Sequence, residues 1–156
     1  MNEDIEKIRA IADYQFGYRA GVVLFPDSVR IEYSKNTGRI RHIFLGEDLV
    51  ANFRPNDGLF TLTIAGAERL VKGLSDLKYK VRLLDDVIEF VEQGKNLFAK
   101  HVVEVHPDIR PGQEIIVVDG EDNTIAVGKA ILTPEEMLAF KTGAAVKIRR
   151  GRKRHR

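Results

Sequence analysis

Gly94-Lys95-Asn96-Leu97-Phe98-Ala99-Lys100 is the stretch that decides the fold of the second half of the chain, because it joins two glycine-punctuated apolar runs. Before it, residues 79–84 predict a strand and residues 85–93 a short helix, which Gly94 ends because glycine adopts the left-handed conformation without strain. After it, apolar runs predict strands at 98–105, 115–119, 124–132 and 145–149, and a helix at 134–141. This order predicts a small mixed β-barrel with two short helices.

Both helices of this half carry start signals. Asp85 or Asp86 is expected to cap the first, since a side-chain oxygen there accepts a free backbone N–H. Thr133 is expected to cap the second, which opens on Pro134. The apolar positions predict a buried stripe on each helix: Val87, Ile88 and Val91 on the first, and Met137, Leu138 and Phe140 on the second.

The first half predicts a separate α+β domain. Ile5, Ile8 and Ala12 fall on one side of an opening helix, which Gly17 ends. Short apolar or alternating segments then predict strands at 21–25, 29–34, 40–44, 49–53 and 59–64, followed by a helix at 65–74. We therefore predict an α+β domain at 1–76, the barrel at 77–150 and a basic tail at 151–156.

Composition argues against most catalytic classes. The chain has 156 residues and no cysteine, which excludes disulfides, thiolate nucleophiles and cysteine-ligated zinc. The four histidines lack paired metal-ligand spacing, and neither a glycine-rich phosphate loop nor a Gly-x-Ser-x-Gly motif is present. We predict no catalytic residue, no metal and no cofactor. The lack of a long apolar stretch predicts no membrane association and a cytoplasmic location.

The positive charge is concentrated at one end. Residues 1–146 hold 18 Lys and Arg against 23 Asp and Glu, whereas the last ten residues hold seven basic side chains and no acid. These seven are Lys147, Arg149, Arg150, Arg152, Lys153, Arg154 and Arg156. Such a block attracts phosphate with a strong salt dependence. It predicts a localised contact with nucleic acid, against the alternative of a merely solubilising end.

The second half resembles a PUA domain, a small RNA-binding β-barrel, in element order, spacing and glycine placement. The first half resembles the domain that precedes the PUA domain in archaeosine tRNA-guanine transglycosylase, through the segments Ala12-Asp13-Tyr14-Gln15-Phe16-Gly17, Phe25-Pro26-Asp27 and Arg54-Pro55-Asn56-Asp57-Gly58. That enzyme needs a large (β/α)₈ catalytic domain and a cysteine-ligated zinc, for which this sequence has neither the length nor a cysteine. The resemblance implies a non-catalytic RNA-binding module from archaeosine-type tRNA modification.

The resemblance also implies which residues contact RNA: Gly94, Lys95, Asn96, Phe98, Lys100, Lys147, Arg149 and Arg150. Gly94 allows backbone to approach phosphate, and the basic residues bind phosphates. Phe98 is either a stacking platform for an exposed base or a core residue. Asn96 stands where the family tends to have serine. A flexible phosphate clamp that reads no base sequence is expected from Arg152, Lys153, Arg154 and Arg156.

The expected RNA partner is tRNA, bound at its acceptor stem and 3′ end. One alternative is an accessory subunit that supplies its PUA domain in trans to a larger catalytic tRNA-modification subunit. Another is a translation or ribosome-assembly factor. A second basic patch, Arg39-Ile40-Arg41-His42, either contacts a partner or is simply a solvated strand.

Overall fold

The computed structural model describes residues 3–153. The chain divides between Leu77 and Lys78 into two compact units, and each unit has its own sheet. The first is α+β and the second is a mixed, nearly closed barrel with short helices, which confirms the predicted fold class. Within residues 3–153, no helix is long and apolar enough to cross a membrane.

The first unit has a four-stranded antiparallel sheet in the order β1-β2-β3-β4, with three helices. Its elements are α1 Glu3–Phe16, α2 Ala20–Leu24, β1 Arg30–Tyr33, β2 Ile40–Leu45, β3 Asp48–Arg54, β4 Leu59–Leu62 and α3 Ile64–Gly73. The side-chain amide of Gln15 on α1 donates to the carbonyl of Phe60 at 2.9 Å and accepts from its N–H at 2.8 Å. This pair of hydrogen bonds ties α1 to β4.

The segment after α1 corrects one expectation. A strand was expected at 21–25, but Ala20–Leu24 is a short helix. The Asp13 carboxylate accepts the N–H of Gly21 at 2.6 Å, which stabilises the first turn of α2. A side chain at Gly21 would overlap the backbone of Arg9, so glycine lets α2 pack directly on α1. This packing of α2 against α1 outweighs the preference of the β-branched residues in the segment for a strand.

The second unit has a six-stranded sheet in the order β6-β10-β9-β8-β5-β7. All neighbours are antiparallel except β5 and β8, which are parallel. Its elements are β5 Lys80–Leu83, α4 Ile88–Val91, β6 Leu97–Phe98, β7 Val102–Val105, β8 Glu114–Val118, β9 Thr124–Ala130, α5 Pro134–Ala139 and β10 Ala144–Gly151. Every residue of β8 is buried, so this strand forms the centre of the barrel core.

The strand expected at 98–105 is broken in two. A 3₁₀ turn at Ala99–His101 separates β6 from β7. β6 pairs with β10 at one end of the sheet order, whereas β7 pairs with β5 at the other. The turn therefore lets one chain segment serve both edges, which brings the sheet close to closure.

The two helices of the barrel agree with the prediction at one cap and differ from it at the other cap and in which side chains are buried. Thr133 caps α5 as predicted, in a reciprocal capping box with Glu136. Of the three residues expected to be buried, Met137 is buried, whereas Leu138 is 60% exposed and Phe140, which follows the last residue of α5, is 45% exposed. The first helical segment begins as a 3₁₀ turn at Asp85–Val87, and no side chain caps it, so the predicted aspartate cap is wrong.

Candidate nucleic-acid interface

A groove of about 570 Å³ opens beside α4 in the second unit. It is lined by Val87, Phe90, Val91, Gly94, Lys95, Asn96, Phe98 and His101. Four of these residues, Gly94, Lys95, Asn96 and Phe98, were predicted from the sequence to contact RNA. The structure brings them together because the loop after α4 leads directly into β6.

Two aromatic side chains line the groove and face solvent. Phe98 is 47% exposed and Phe90 is 52% exposed. The sequence left Phe98 open between core packing and a surface role, and the structure places it on the surface. Phe90 was missed, although it stands between the inward positions Ile88 and Val91 of α4. Its position outside the apolar stripe of a short helix was the signal in the sequence that could have identified it as an exposed aromatic residue.

The loop between α4 and β6 is fixed by its own backbone. Gly94 has a φ of +107°, which glycine adopts without strain. Its N–H donates to the carbonyl of Val91 at 3.0 Å, and the N–H of Lys95 donates to that of Phe90 at 3.2 Å. No heavy atom within 4 Å would meet a side chain at Gly94. The backbone there is open to a large ligand, while its amide donors are used within the loop.

Asn96 connects the groove to the last strand. Its Oδ1 accepts the backbone N–H of Ile148 on β10 at 2.9 Å. The ladder between β6 and β10 pairs Leu97 with Val146 and Phe98 with Ala144. The Asn96 side chain thus continues the pairing beyond the end of the short β6.

The basic residues of β10 divide into two kinds. Lys147 and Arg150 are exposed, and neither has an ion pair among residues 3–153. Arg149 instead pairs through both terminal guanidinium nitrogens with Glu114, whose side chain is 2% exposed. Arg149 lies at a β-bulge of the β10–β9 ladder. The charge of Arg149 therefore neutralises the buried carboxylate of Glu114. Of the three basic residues of β10 that were predicted to contact phosphate, Lys147 and Arg150 have no ion pair within residues 3–153.

Arg152 and Lys153 are held in place, which corrects the expectation of a flexible clamp for these two residues. Arg152 Nε donates to Glu92 Oε1 at 2.8 Å, and Lys153 Nζ lies 3.7 Å from Glu92 Oε2. The backbone N–H of Lys153 also donates to the Glu92 carbonyl at 2.8 Å. We call Glu92, Arg152 and Lys153 the Glu92 clasp. Arg154 and Arg156 lie outside the described residues. Lys100 is exposed on the 3₁₀ turn after β6.

Gly151 makes the Glu92 clasp geometrically possible. A side chain at this position would overlap the carbonyl group of Glu92 and come within 2.8 Å of the Gly94 nitrogen. Glycine therefore lets the end of β10 run directly beneath the loop that forms the groove. The groove, the clasp and β10 form one continuous piece of structure.

Asp119 organises the turn between β8 and β9. Its Oδ1 accepts the N–H groups of Glu121 and Asn123 at 2.9 Å each, and its Oδ2 accepts the Asn123 side-chain amide at 3.0 Å. Burial alone would raise the pKa of Asp119, but these hydrogen bonds and the charge of Arg152 outweigh it and lower the pKa below its ordinary value. The carboxylate form is therefore the stable one in the folded protein.

Among residues 3–153, no group of three or more His, Asp or Glu side chains is arranged to hold a metal ion. The histidine of the groove, His101, stands alone there among apolar and donor side chains.

Comparison with known proteins gives both units a family. Residues 6–76 match the patch-forming domain C2 of tRNA-guanine transglycosylase, and residues 79–152 match the PUA domain. The chain is a PUA-domain protein. Hereafter residues 79–152 are called the PUA domain and residues 6–76 the C2 domain. The predicted resemblance to the C-terminal region of archaeosine transglycosylase is confirmed.

Among its relatives is the tRNA-guanine(15) transglycosylase of Methanothermobacter thermautotrophicus, 43% identical over 149 residues, which are 96% of this chain and 23% of that protein. The enzyme of the same name from Methanobrevibacter smithii is 44% identical over 152 residues, 97% of this chain and 23% of that protein. The similarity lies in the C-terminal part of the relatives. The chain thus spans about a quarter of their length.

Solved structures share the fold over nearly the whole chain. A hypothetical protein from Pyrococcus horikoshii OT3 superposes with a TM-score of 0.75 at 18% identity, covering 97% of this chain and 91% of that one. A conserved PUA domain protein from Thermoplasma acidophilum gives a TM-score of 0.68 at 19% identity, covering 96% and 88%. At this level of identity the likeness concerns the fold alone.

Proposed function

We propose that this protein is a non-catalytic RNA-binding module of archaeosine-type tRNA modification, which holds tRNA at its acceptor stem and 3′ end. The observation that carries the proposal is the groove of the PUA domain, where Phe90 and Phe98 are half exposed beside the ammonium group of Lys95. Half-exposed aromatic rings give bases a surface for stacking, and a nearby cation neutralises the phosphate.

The surroundings of the groove favour a single-stranded end together with a helical stem. The groove volume of about 570 Å³ suits an unstacked nucleotide, which a duplex does not present. Lys147 and Arg150 on β10 are exposed and suited to backbone phosphates of the adjoining stem. The relatives named tRNA-guanine(15) transglycosylase support tRNA as the RNA.

The test is a binding titration of the protein against a tRNA transcript with and without its single-stranded 3′ end, at several salt concentrations. We expect removal of the end, and Phe98→Ala, each to weaken binding about 5- to 150-fold, the effect of about 1–3 kcal/mol per stacked base. Phe140→Ala is the matched control, since Phe140 is 45% exposed just after α5 and does not line the groove. Equal losses for the two phenylalanines, or binding that ignores the 3′ end, would contradict the proposal.

A second candidate function is supply of the PUA domain in trans to a catalytic subunit. It is suggested by the relatives named tRNA-guanine(15) transglycosylase, of which this chain matches 23%. A catalytic transglycosylase chain should then co-purify with this protein and exchange guanine in tRNA only when both chains are present. Tight binding of rRNA in preference to tRNA would instead favour a ribosome-assembly factor.

A further inference from the structure

The orientation of the Asn96 side chain is set by the fold. An N–H group can only donate, so the atom that faces the Ile148 N–H at 2.9 Å must be the Asn96 oxygen. The amide group of Asn96 therefore has its NH₂ left for other partners. Since Asn96 also lines the groove, this NH₂ is the hydrogen-bonding group that it offers to an occupant.

The other polar side chains of the groove reinforce this bias. Lys95 is a donor without acceptor capacity, and no carboxylate is among the lining residues of the described chain. His101 is the one lining side chain that either donates or accepts, according to its tautomer. Lys95 and Asn96 both line the groove, so one loop supplies it with two side-chain donors.

We infer that the groove selects a nucleobase whose edge presents two adjacent acceptors, and that Asn96 is the specificity-determining residue. Cytosine presents N3 and O2 side by side, and guanine presents O6 and N7. The edges of adenine and uracil alternate donors with acceptors, so one of the two groove donors would face another donor. This inference rests on the proposed binding of a single-stranded RNA end in the groove.

One substitution separates the two roles of Asn96. Asn96→Asp keeps an oxygen for the Ile148 N–H but replaces the NH₂ by an acceptor of nearly the same size. Asn96→Ala removes both the oxygen and the NH₂ of the side chain. Gln93→Glu is the matched control for charge, because Gln93 is exposed just before the same loop and does not line the groove.

The probe is one RNA hairpin stem carrying a four-nucleotide 3′ overhang of cytosine, guanine, adenine or uracil, titrated in lithium buffer, which prevents association of guanine tracts. The measured quantity is the ratio of the affinities of one protein for two different overhangs. A charge added by a substitution changes both affinities alike and therefore cancels in this ratio. For the unchanged protein we expect the cytosine or the guanine overhang to bind about fivefold more tightly than uracil and adenine, as one hydrogen bond of about 1 kcal/mol would give.

Asn96→Asp should abolish or reverse that preference while melting like the unchanged protein, and Gln93→Glu should retain it. The inference is overturned if the unchanged protein binds all four overhangs equally, or if Asn96→Asp keeps the preference. In either case the dependence on the overhang and on Phe98 would still support the proposed function. Binding that ignores every overhang would overturn both.

Discussion

Removal of the Glu92 carboxylate should loosen the end of β10 from the groove. The Glu92 side chain is 8% exposed and faces the guanidinium of Arg152, which is 33% exposed, and the ammonium of Lys153, which is 64% exposed. Loss of one partner from a fully buried ion pair costs about 3–5 kcal/mol, whereas an exposed pair contributes about 0–1 kcal/mol. Because water reaches both cations once Glu92 is gone, we expect Glu92→Ala to cost about 1–2 kcal/mol of unfolding free energy.

The assay is thermal unfolding followed by far-ultraviolet circular dichroism, with Glu89→Ala as the control. Glu89 lies exposed on α4 three residues earlier and has no ion pair among residues 3–153. For a domain of this size a loss of 1–2 kcal/mol corresponds to a fall in Tm of roughly 4–16 °C. Glu89→Ala should change the Tm by less than about 4 °C, since surface substitutions change stability by less than about 0.5 kcal/mol.

The same variant should change how RNA binding responds to salt. Arg152 and Lys153 lose their shared carboxylate and become available to phosphate, so affinity should rise at low salt and fall more steeply as salt increases. Each added phosphate contact steepens the logarithmic salt slope by about 0.7 to 0.9. Equal Tm values for Glu92→Ala and Glu89→Ala, together with an unchanged salt slope, would refute the view that the clasp holds these cations.

Three further substitutions test the barrel. Gly151→Ala should lower the unfolding free energy by about 1–3 kcal/mol, because the new methyl group overlaps backbone atoms. Gly120→Ala is the control and should be near neutral, because the space around Gly120 is open. Equal urea midpoints for the two variants would contradict the close approach of Gly151 to the backbone of the loop. Arg149→Ala should destabilise by about 2–4 kcal/mol, since it removes the guanidinium that faces the buried carboxylate of Glu114, and Glu114→Gln in the same background should recover part of the loss. The pKa of Asp119 is lowered on folding, so its carboxylate contributes stability above the unfolded pKa of about 3.9, and this is lost as the pH falls through the folded pKa. Asp119→Asn should therefore flatten the dependence of Tm on pH below about pH 4, and an unchanged acid limb in a pH series of melting curves would remove Asp119 from that role.

Local signals in the sequence were enough for much of the candidate site. Gly94 was expected to end a helix and Phe98 to begin a strand within five residues, so Lys95 and Asn96 were expected to share one short loop beside Phe98. Phe90 was not predicted because the spacing of apolar residues in a helix indicates only which side chains are buried. In the structure α4 is a single turn that buries little surface, and the ring of Phe90 is exposed.

Long-range pairing accounts for what the sequence did not reveal. Nothing near Arg152 in the chain indicates that Glu92, sixty residues away, fixes it. The same holds for Arg149 and Glu114, 35 residues apart. Basic residues at the end of a chain resemble a solvated tail in the sequence, and only the closed barrel shows that a buried carboxylate stands opposite each of these two arginines.

The position of β10 has a consequence for how the protein is made. A ribosome delivers residues in order, so a nascent chain carries β5 to β9 before Ala144–Gly151 has emerged. Until then β6 lacks its partner strand, Asn96 lacks Ile148 and Glu92 lacks Arg152. The contacts that fix the groove loop are thus completed in the last step of the domain's synthesis, after all the residues that line the groove have been made.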